Sequence, residues 1–575
     1  MIEVTTSLAL LLAVTWPLLL AVGLAFGATR SVALRLVPWA ALPALATVAT
    51  LADTGLRLPG AMLGSALVLD GMGRVFLLLS AFLWLATGLL ARPQLHNAGA
   101  NRFAVLLLLA MTGAFGLALA ADALLFFTAA TLAGYALYGL LVHEANVSAQ
   151  KAGRVLVVLL VVSDLLVFEL LLMLGQAAGS VDFPSLRQAF VDSGNQGLML
   201  GLLIVGFGIK TGVVGVHFWL APVFVTSVTA VRPALISFIF SAGLLGWLRL
   251  LPLGDIHDIH WTVAGAVLQW LAWVTLGYAV FVGLLQAHFR SVLAYAAIAL
   301  SGFWVATLGS ALLYPQAWNG MAESTHAAVL QSGFALAALL LLDWRTGGCA
   351  PVWLCRMSTG VMWLATLLLA AAPVGITGFL SKVDGMAAVQ MSCATAAIAF
   401  LVIRGLLLIG PPGQGARDMS TSLYVMQQPA QAPTTTSLLV AGGLAAAALL
   451  AAAYNLAGLS LSELLRPAMV VSAAALVAWL SAERRVPRLT TLPPGDLLVP
   501  ISRGLSQALT FVRRLADEQL PRWCDAWLVS LGRPWSNVDW RGMVERIDFG
   551  LTRWRTVLVV LLLLGLMVAW CGRNG

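Results

Sequence analysis

Apolar runs of about 20 residues, the length a helix needs to cross some 30 Å of hydrocarbon, recur along the whole chain. They lie near 4–26, 32–51, 72–91, 102–120, 122–143, 153–175, 196–215, 230–250, 261–284, 289–313, 325–343, 357–380, 383–409, 436–457, 466–482 and 554–571. The pattern predicts an all-α polytopic membrane protein with about 14–16 transmembrane helices. Glu3 precedes the first run and no basic segment does, so Val4 to Phe26 reads as a transmembrane helix, not a cleaved leader. The pattern changes once, over 484–553, where Pro487, Pro493, Pro494 and Gly495 exclude a continuous helix. Further on, Leu505, Leu509, Phe511 and Leu515 alternate with Arg503, Arg513 and Arg514, which predicts an amphipathic helix at the cytoplasmic membrane surface or along neighbouring subunits. The expected divisions are N-terminal helices over 1–101, a core over 102–410, additional helices over 411–483, the interfacial segment 484–553 and a last helix in 554–575.

The polar residues between the runs alternate in sign. Loops after odd-numbered helices carry Arg30, Arg35, Arg92, Arg102, Lys151, Arg154, Arg290, Arg345, Arg356 and Arg417. Loops after even-numbered helices carry Asp53, Asp70, Asp122, Asp182, Asp192, Asp255, Asp258, Glu323 and Glu463. Basic loops stay in the cytoplasm, so both the N-terminus and the C-terminal tail are expected outside it, with an even helix count, in a cell inner (plasma) membrane. Composition agrees: 61% of the 575 residues are hydrophobic and only 10% charged, which no soluble domain of this length shows. The net charge of +8 is almost all arginine, and no nucleic-acid partner is expected. Five cysteines (Cys349, Cys355, Cys393, Cys524, Cys571) have no metal or cluster spacing, and there is no dinucleotide or Walker fingerprint. No cofactor is expected, and redox or ATP chemistry would have to sit on another subunit.

Lysine occurs only at Lys151, Lys210 and Lys382, and the last two stand in or beside apolar runs. A cation in mid-bilayer costs roughly 2.5–3.5 kcal/mol on insertion scales, so its presence asks for a reason. The bland reading is a lysine near a helix end that reaches back to water. Other ionisable residues within the runs are Asp164, Glu169, His217, Arg232 and His326, with Asp384 close to Lys382. A chain of such groups across the midplane is what a proton path requires. Asp164 and Glu169 are five residues apart, roughly 140° around a helix, so they cannot share a face. One is expected to face the bundle interior and the other a partner subunit. Two stretches pair a lysine with glycines: Lys210-Thr-Gly-Val-Val-Gly and Pro373-Val-Gly-Ile-Thr-Gly-Phe-Leu-Ser-Lys382. Matching interruptions in two halves predict an inverted repeat with broken helices and a site at midplane.

These residues resemble a known family. The string Lys210, His217, Trp219, Leu220, the run Gly243 to Arg249, the stretch Leu293-Ala-Tyr-Ala-Ala-Ile298 with Gly302, then His326, and finally Pro373, Gly378, Phe379, Ser381 and Lys382 are similar to motifs of the proton-conducting, antiporter-like membrane subunits. Complex I, membrane-bound hydrogenases and Mrp-type cation/proton antiporters share those subunits, and the resemblance covers about residues 70–410. It implies proton translocation, perhaps coupled to Na+, within a complex of other membrane subunits. Lys210 and Lys382 would be the switching cations, His217 and His326 relays, and Asp164 or Glu169 the countercharge. The sequence departs from the family where Thr131 replaces a glutamate, Ser241 and Leu330 replace lysines, Phe224 a histidine, Val228 and Ala230 prolines, and Arg232 a serine. Without the glutamate, Lys210 is neutral, solvated, or paired with another acid. Three other readings stay open at this level: a membrane subunit of an NADH:quinone oxidoreductase- or hydrogenase-like complex, a membrane partner of an inorganic-carbon uptake protein, and a non-conducting paralogue.

Overall fold

The computed structural model describes residues 2–58, 64–97, 99–143, 146–254, 259–286, 289–342, 352–408 and 435–456, with 469, 471–474 and 476–478. The chain divides into two units, Met1–Asp496 and Leu497–Gly575. The second unit lies outside the described residues, and with it the expected segment 484–553, the last helix at 554–571 and most of the run at 466–482.

The first unit begins with α1 (Ile2–Gly23), a bent pair α2 (Gly27–Leu36) and α3 (Leu42–Thr50), and then α4 (Gly71–Leu90), α5 (Ala100–Leu119) and α6 (Ala123–Val142). Next come the long α7 (Val147–Ala178), the short α8 (Phe183–Asp192), α9 (Gln196–Thr211) and α10 (Leu220–Thr226). The segments α11 (Arg232–Phe238) and α12 (Leu245–Leu250) are joined through a wide π-helical turn, Ile239–Leu244, into one span. The second half is α13 (Ile259–Leu284), α14 (Phe289–Leu313), α15 (Trp318–Leu341), α16 (Val352–Ala371), α17 (Val374–Leu380), α18 (Gly385–Leu408) and α19 (Thr435–Leu456).

Among the described residues, 12 helices are long and apolar enough to cross a membrane, or 13 with the α2–α3 pair counted as one span bent by 47°. The shorter α9 accounts for one more of the expected helices. The all-α architecture carries one small addition: β1 (Thr54–Arg57) and β2 (Ala66–Leu69) form an antiparallel hairpin in the loop before α4, in register from Thr54 opposite Leu69 to Arg57 opposite Ala66. Burial alternates with period two along both strands: Leu67 and Leu69 are buried and Ala66 and Val68 half-covered, while across the ladder Thr54 and Leu56 are half-covered and Gly55 and Arg57 exposed.

The core of the bundle is the span over 229–250, buried at every position after Thr229, and α14, almost wholly so. Lipid is as apolar as leucine, so helices in it associate through close packing of small residues. Gly265 of α13 and Gly309 of α14 show this, since a β-carbon added at either would lie about 3 Å from the other's carbonyl oxygen. The expected second break is much slighter than the first: α16 and α17 are separated only at Ala372 and Pro373 and still form one continuous span.

The loops after even-numbered spans gather at one end. Asp122 accepts hydrogen bonds from Ser65 and the Ala66 amide, and bridges in strand fashion to Asp182. Asp70 pairs with Arg249, and the Tyr314 hydroxyl donates to Asp384 at 2.5 Å. This end is therefore acidic, as the alternation of loop charges requires. Asp255, Asp258, Arg345, Arg417 and Glu463 lie outside the described residues.

Candidate functional site

The site is built where α7 and α9 touch. Gly206 of α9 lets them close, since a β-carbon there would lie 2.8 Å from Val167 Cγ2. Ser163 of α7 donates to the Gly206 carbonyl at 2.7 Å and fixes the register. One turn further along α9, Lys210 Nζ meets Asp164 Oδ1 at 2.7 Å, with the lysine side chain 1% exposed and the aspartate 11%. Thr131 Oγ1 of α6 stands 3.5 Å from the other carboxylate oxygen, and the Tyr135 hydroxyl one turn on lies within electrostatic reach of Asp164. Both charges lie roughly 21 Å along their helices from the acidic end, at 1.5 Å per residue. The pair is thus deep in the bundle.

Why α9 stops there is legible in its backbone. Gly212 adopts φ +81° at the C-cap, and its amide and that of Val213 both donate to the Gly208 carbonyl. Glycine takes this left-handed conformation without the steric cost other residues meet. The carbonyls freed near the break find partners: Trp219 Nε1 donates to Ile209 O at 2.7 Å, and Ser301 Oγ to Thr211 O at 2.5 Å. A cation in the last turn also meets the negative end of the helix dipole, which favours Lys210 there. Opposite, Gly243 lies in the π-helical turn, where a β-carbon would come within 2.4 Å of Thr211 Cγ2. In that same turn, Ser241 and Ser80 share a hydrogen bond at 2.9 Å, and Ser237 donates to Ser80 at 3.1 Å. Hydroxyls occupy the region where the family resemblance called for a lysine.

The other candidates are spread out. His217, buried just beyond the break, packs edge-on to Tyr278 of α13 with ring centroids 4.9 Å apart. His326, half-buried on α15, lies within electrostatic reach of Asp70 and Glu323 at the acidic end. Lys382 is exposed in the turn after α17, two residues from Asp384. Glu169 is exposed on the face of α7 turned away from Asp164. The structure thus brings together Lys210 and Asp164, and it leaves Glu169 on the outside. In the second half, the place beside Leu330 is held by neutral amides: Asn455 Nδ2 donates to Gln331 Oε1 at 3.0 Å, and Gln331 Nε2 to Leu368 O at 2.8 Å.

A second charged site was not anticipated. Asp70 caps α4 by accepting from the Gly73 amide and forms a two-pronged pair with Arg249, whose guanidinium also stacks over Phe183. Burial pushes the Asp70 carboxyl up, but the Arg249 hydrogen bonds and charge outweigh it and hold the group below the usual carboxylate range. Burial likewise lowers the nearby Arg187, helped by Arg249 and opposed by Asp70. An aspartate just before a long apolar run is a capping signal that sequence alone offers, but its arginine partner lies 179 residues away.

The family described as "NADH:quinone oxidoreductase/Mrp antiporter, TM" matches residues 120–407. NADH-quinone oxidoreductase subunit N of Deinococcus radiodurans is 30% identical over 250 residues, covering 42% of this chain and 49% of the relative. The Maricaulis maris subunit N is 27% identical over 289 residues, covering 48% and 58%. The chain therefore spans about half the length of the curated relatives it matches. Among solved structures, a chain of the Mrp complex from Dietzia sp. is similar with a TM-score of 0.67 at 17% identity, covering 92% of this chain and 62% of that one. A chain of respiratory complex I from Thermus thermophilus is similar with a TM-score of 0.56 at 20% identity, covering 81% and 99%.

Proposed function

From the premise that this chain belongs to the NADH:quinone oxidoreductase/Mrp antiporter membrane family, we propose that it is a proton-translocating subunit of a multisubunit complex in the cell inner membrane. The observation that carries the reading is the buried Lys210–Asp164 pair at the end of a broken helix. Removing one member of a buried ion pair leaves the other uncompensated at a cost of about 3–5 kcal/mol. A proton leaving Lys210 therefore forces Asp164 to find other donors, and Thr131 and Tyr135 are the hydroxyls in reach. Proton occupancy and the arrangement of α6, α7 and α9 are coupled in this way. His217 is the proposed relay beyond the break, with His326 and Lys382 proposed to serve the acidic end. Positive loops in the cytoplasm would place that end, and the N-terminus, outside.

The test is flux. In vesicles reconstituted with the purified complex, Lys210→Ala is expected to reduce formation of a pH gradient at least tenfold while the complex stays assembled. Undiminished flux would leave the reading without support. Dependence of that gradient on added Na+ would extend the proposal to cation exchange. A second reading, membership of an NADH:quinone oxidoreductase, is favoured by the names of the curated relatives. Iron–sulfur subunits copurifying with the chain would support it, and a complex made only of small membrane subunits would oppose it.

A further inference from the structure

Between Val158 and Leu172 the outer face of α7 is apolar with one exception. Val158, Val161, Leu165, Phe168 and Leu172 are exposed and recur at helical spacing, so they form one stripe. Glu169 is exposed within that stripe, and among the described residues it makes no salt bridge. It lies inside the apolar run 153–175, six residues or about 9 Å from the nearer end of that run. A carboxylate side chain is too short to reach water from that depth, and leaving it ionised against acyl chains is costly. Only 33% of the span's most apolar window is buried within this chain. An apolar stripe with one acid is complementary to an apolar helix with one base.

We propose that this stripe is the seat of a transmembrane helix from another membrane subunit, which carries a lysine or arginine facing Glu169. The acid supplies register and specificity, since a misplaced helix would leave two charges in lipid. A second copy of this chain fits poorly, because it would set two carboxylates against each other. The proposal rests on the reading that the chain works beside other subunits, but not on proton conduction.

The experiment uses the complex purified from native membranes, with a photoactivatable benzoylphenylalanine at Leu165 or Leu172. Crosslinks are expected to one transmembrane segment of another subunit, with a basic residue within a turn of the linked position. Glu169→Lys should cut recovery of that subunit at least tenfold, and exchanging the partner's basic residue for glutamate should restore it. Unchanged thermal unfolding of the variant chain shows that it is intact, and Glu169→Ala serves if Glu169→Lys does not fold. Crosslinks only to lipid, to a second copy, or to residues 497–575 of the same chain overturn the proposal, as does full recovery with Glu169→Lys. A wild-type chain that purifies alone would instead remove the reading of a multisubunit complex.

Discussion

Asp164 answers Lys210 from a helix other than the one the family resemblance pointed to, and Thr131 shows how. Its hydroxyl sits 3.5 Å from the Asp164 carboxylate, so a longer acid at 131 would reach the same amine from the other side. Asp164→Asn should therefore lower proton flux as Lys210→Ala does, and Asp164→Asn with Thr131→Glu should recover part of it, both read in reconstituted vesicles. At the acidic end, the depressed Asp70 carboxyl stabilises the fold above its unfolded value of about 4, and that stability is lost as the pH falls through the lower folded value. The unfolding temperature of Asp70→Asn should then lie below wild type at pH 5–7, and the gap should close below about pH 4. Lys210 was legible because a cation in an apolar run is conspicuous. Asp164 and Glu169 were equally conspicuous, and their 140° separation said that one of them would face out without saying which. The Ser80–Ser237–Ser241 cluster was not legible, since serines in apolar helices are common and only packing tells which ones meet.

At the scale of elements, the break after α9 depends on two glycines with different demands. Gly212 has φ +81° and would also press a β-carbon against Leu220 at 3.2 Å, whereas Gly215 has φ +90° with open space around it. Left-handed backbone costs a residue with a β-carbon about 1–2 kcal/mol. Gly212→Ala should thus lower the unfolding temperature more than Gly215→Ala, because it adds a clash to the strain. The run of glycines after a lysine announced this break, and the structure has it. The matching glycines near Lys382 announced a second one, yet α16 and α17 stay nearly continuous. Glycine permits a break but does not enforce one. The hairpin before α4 is not legible in the sequence, because its four-residue strands lie between much longer apolar runs.

For the whole molecule, the gathering of Asp70, Asp122, Asp182 and Asp384 at one end makes orientation a single yes-or-no question. With the acidic end outside, Asp53→Cys should react with a membrane-impermeant maleimide in intact cells, and Arg30→Cys only after permeabilisation. Loop charges gave this layout directly, because insertion responds to charge and not to packing. The wide turn Ile239–Leu244 has a consequence of its own. It lies midway along the central column, between Arg232, held by the Leu340 carbonyl, and Arg249, held by Asp70. Winding the same residues as a regular α-helix, with no room for the surplus one, would rotate everything beyond the turn by about 100° and swing Arg249 off its acid. The surplus residue works as a shim: it reconciles two anchor points, set by opposite ends of the bundle, that a uniform screw could not satisfy together.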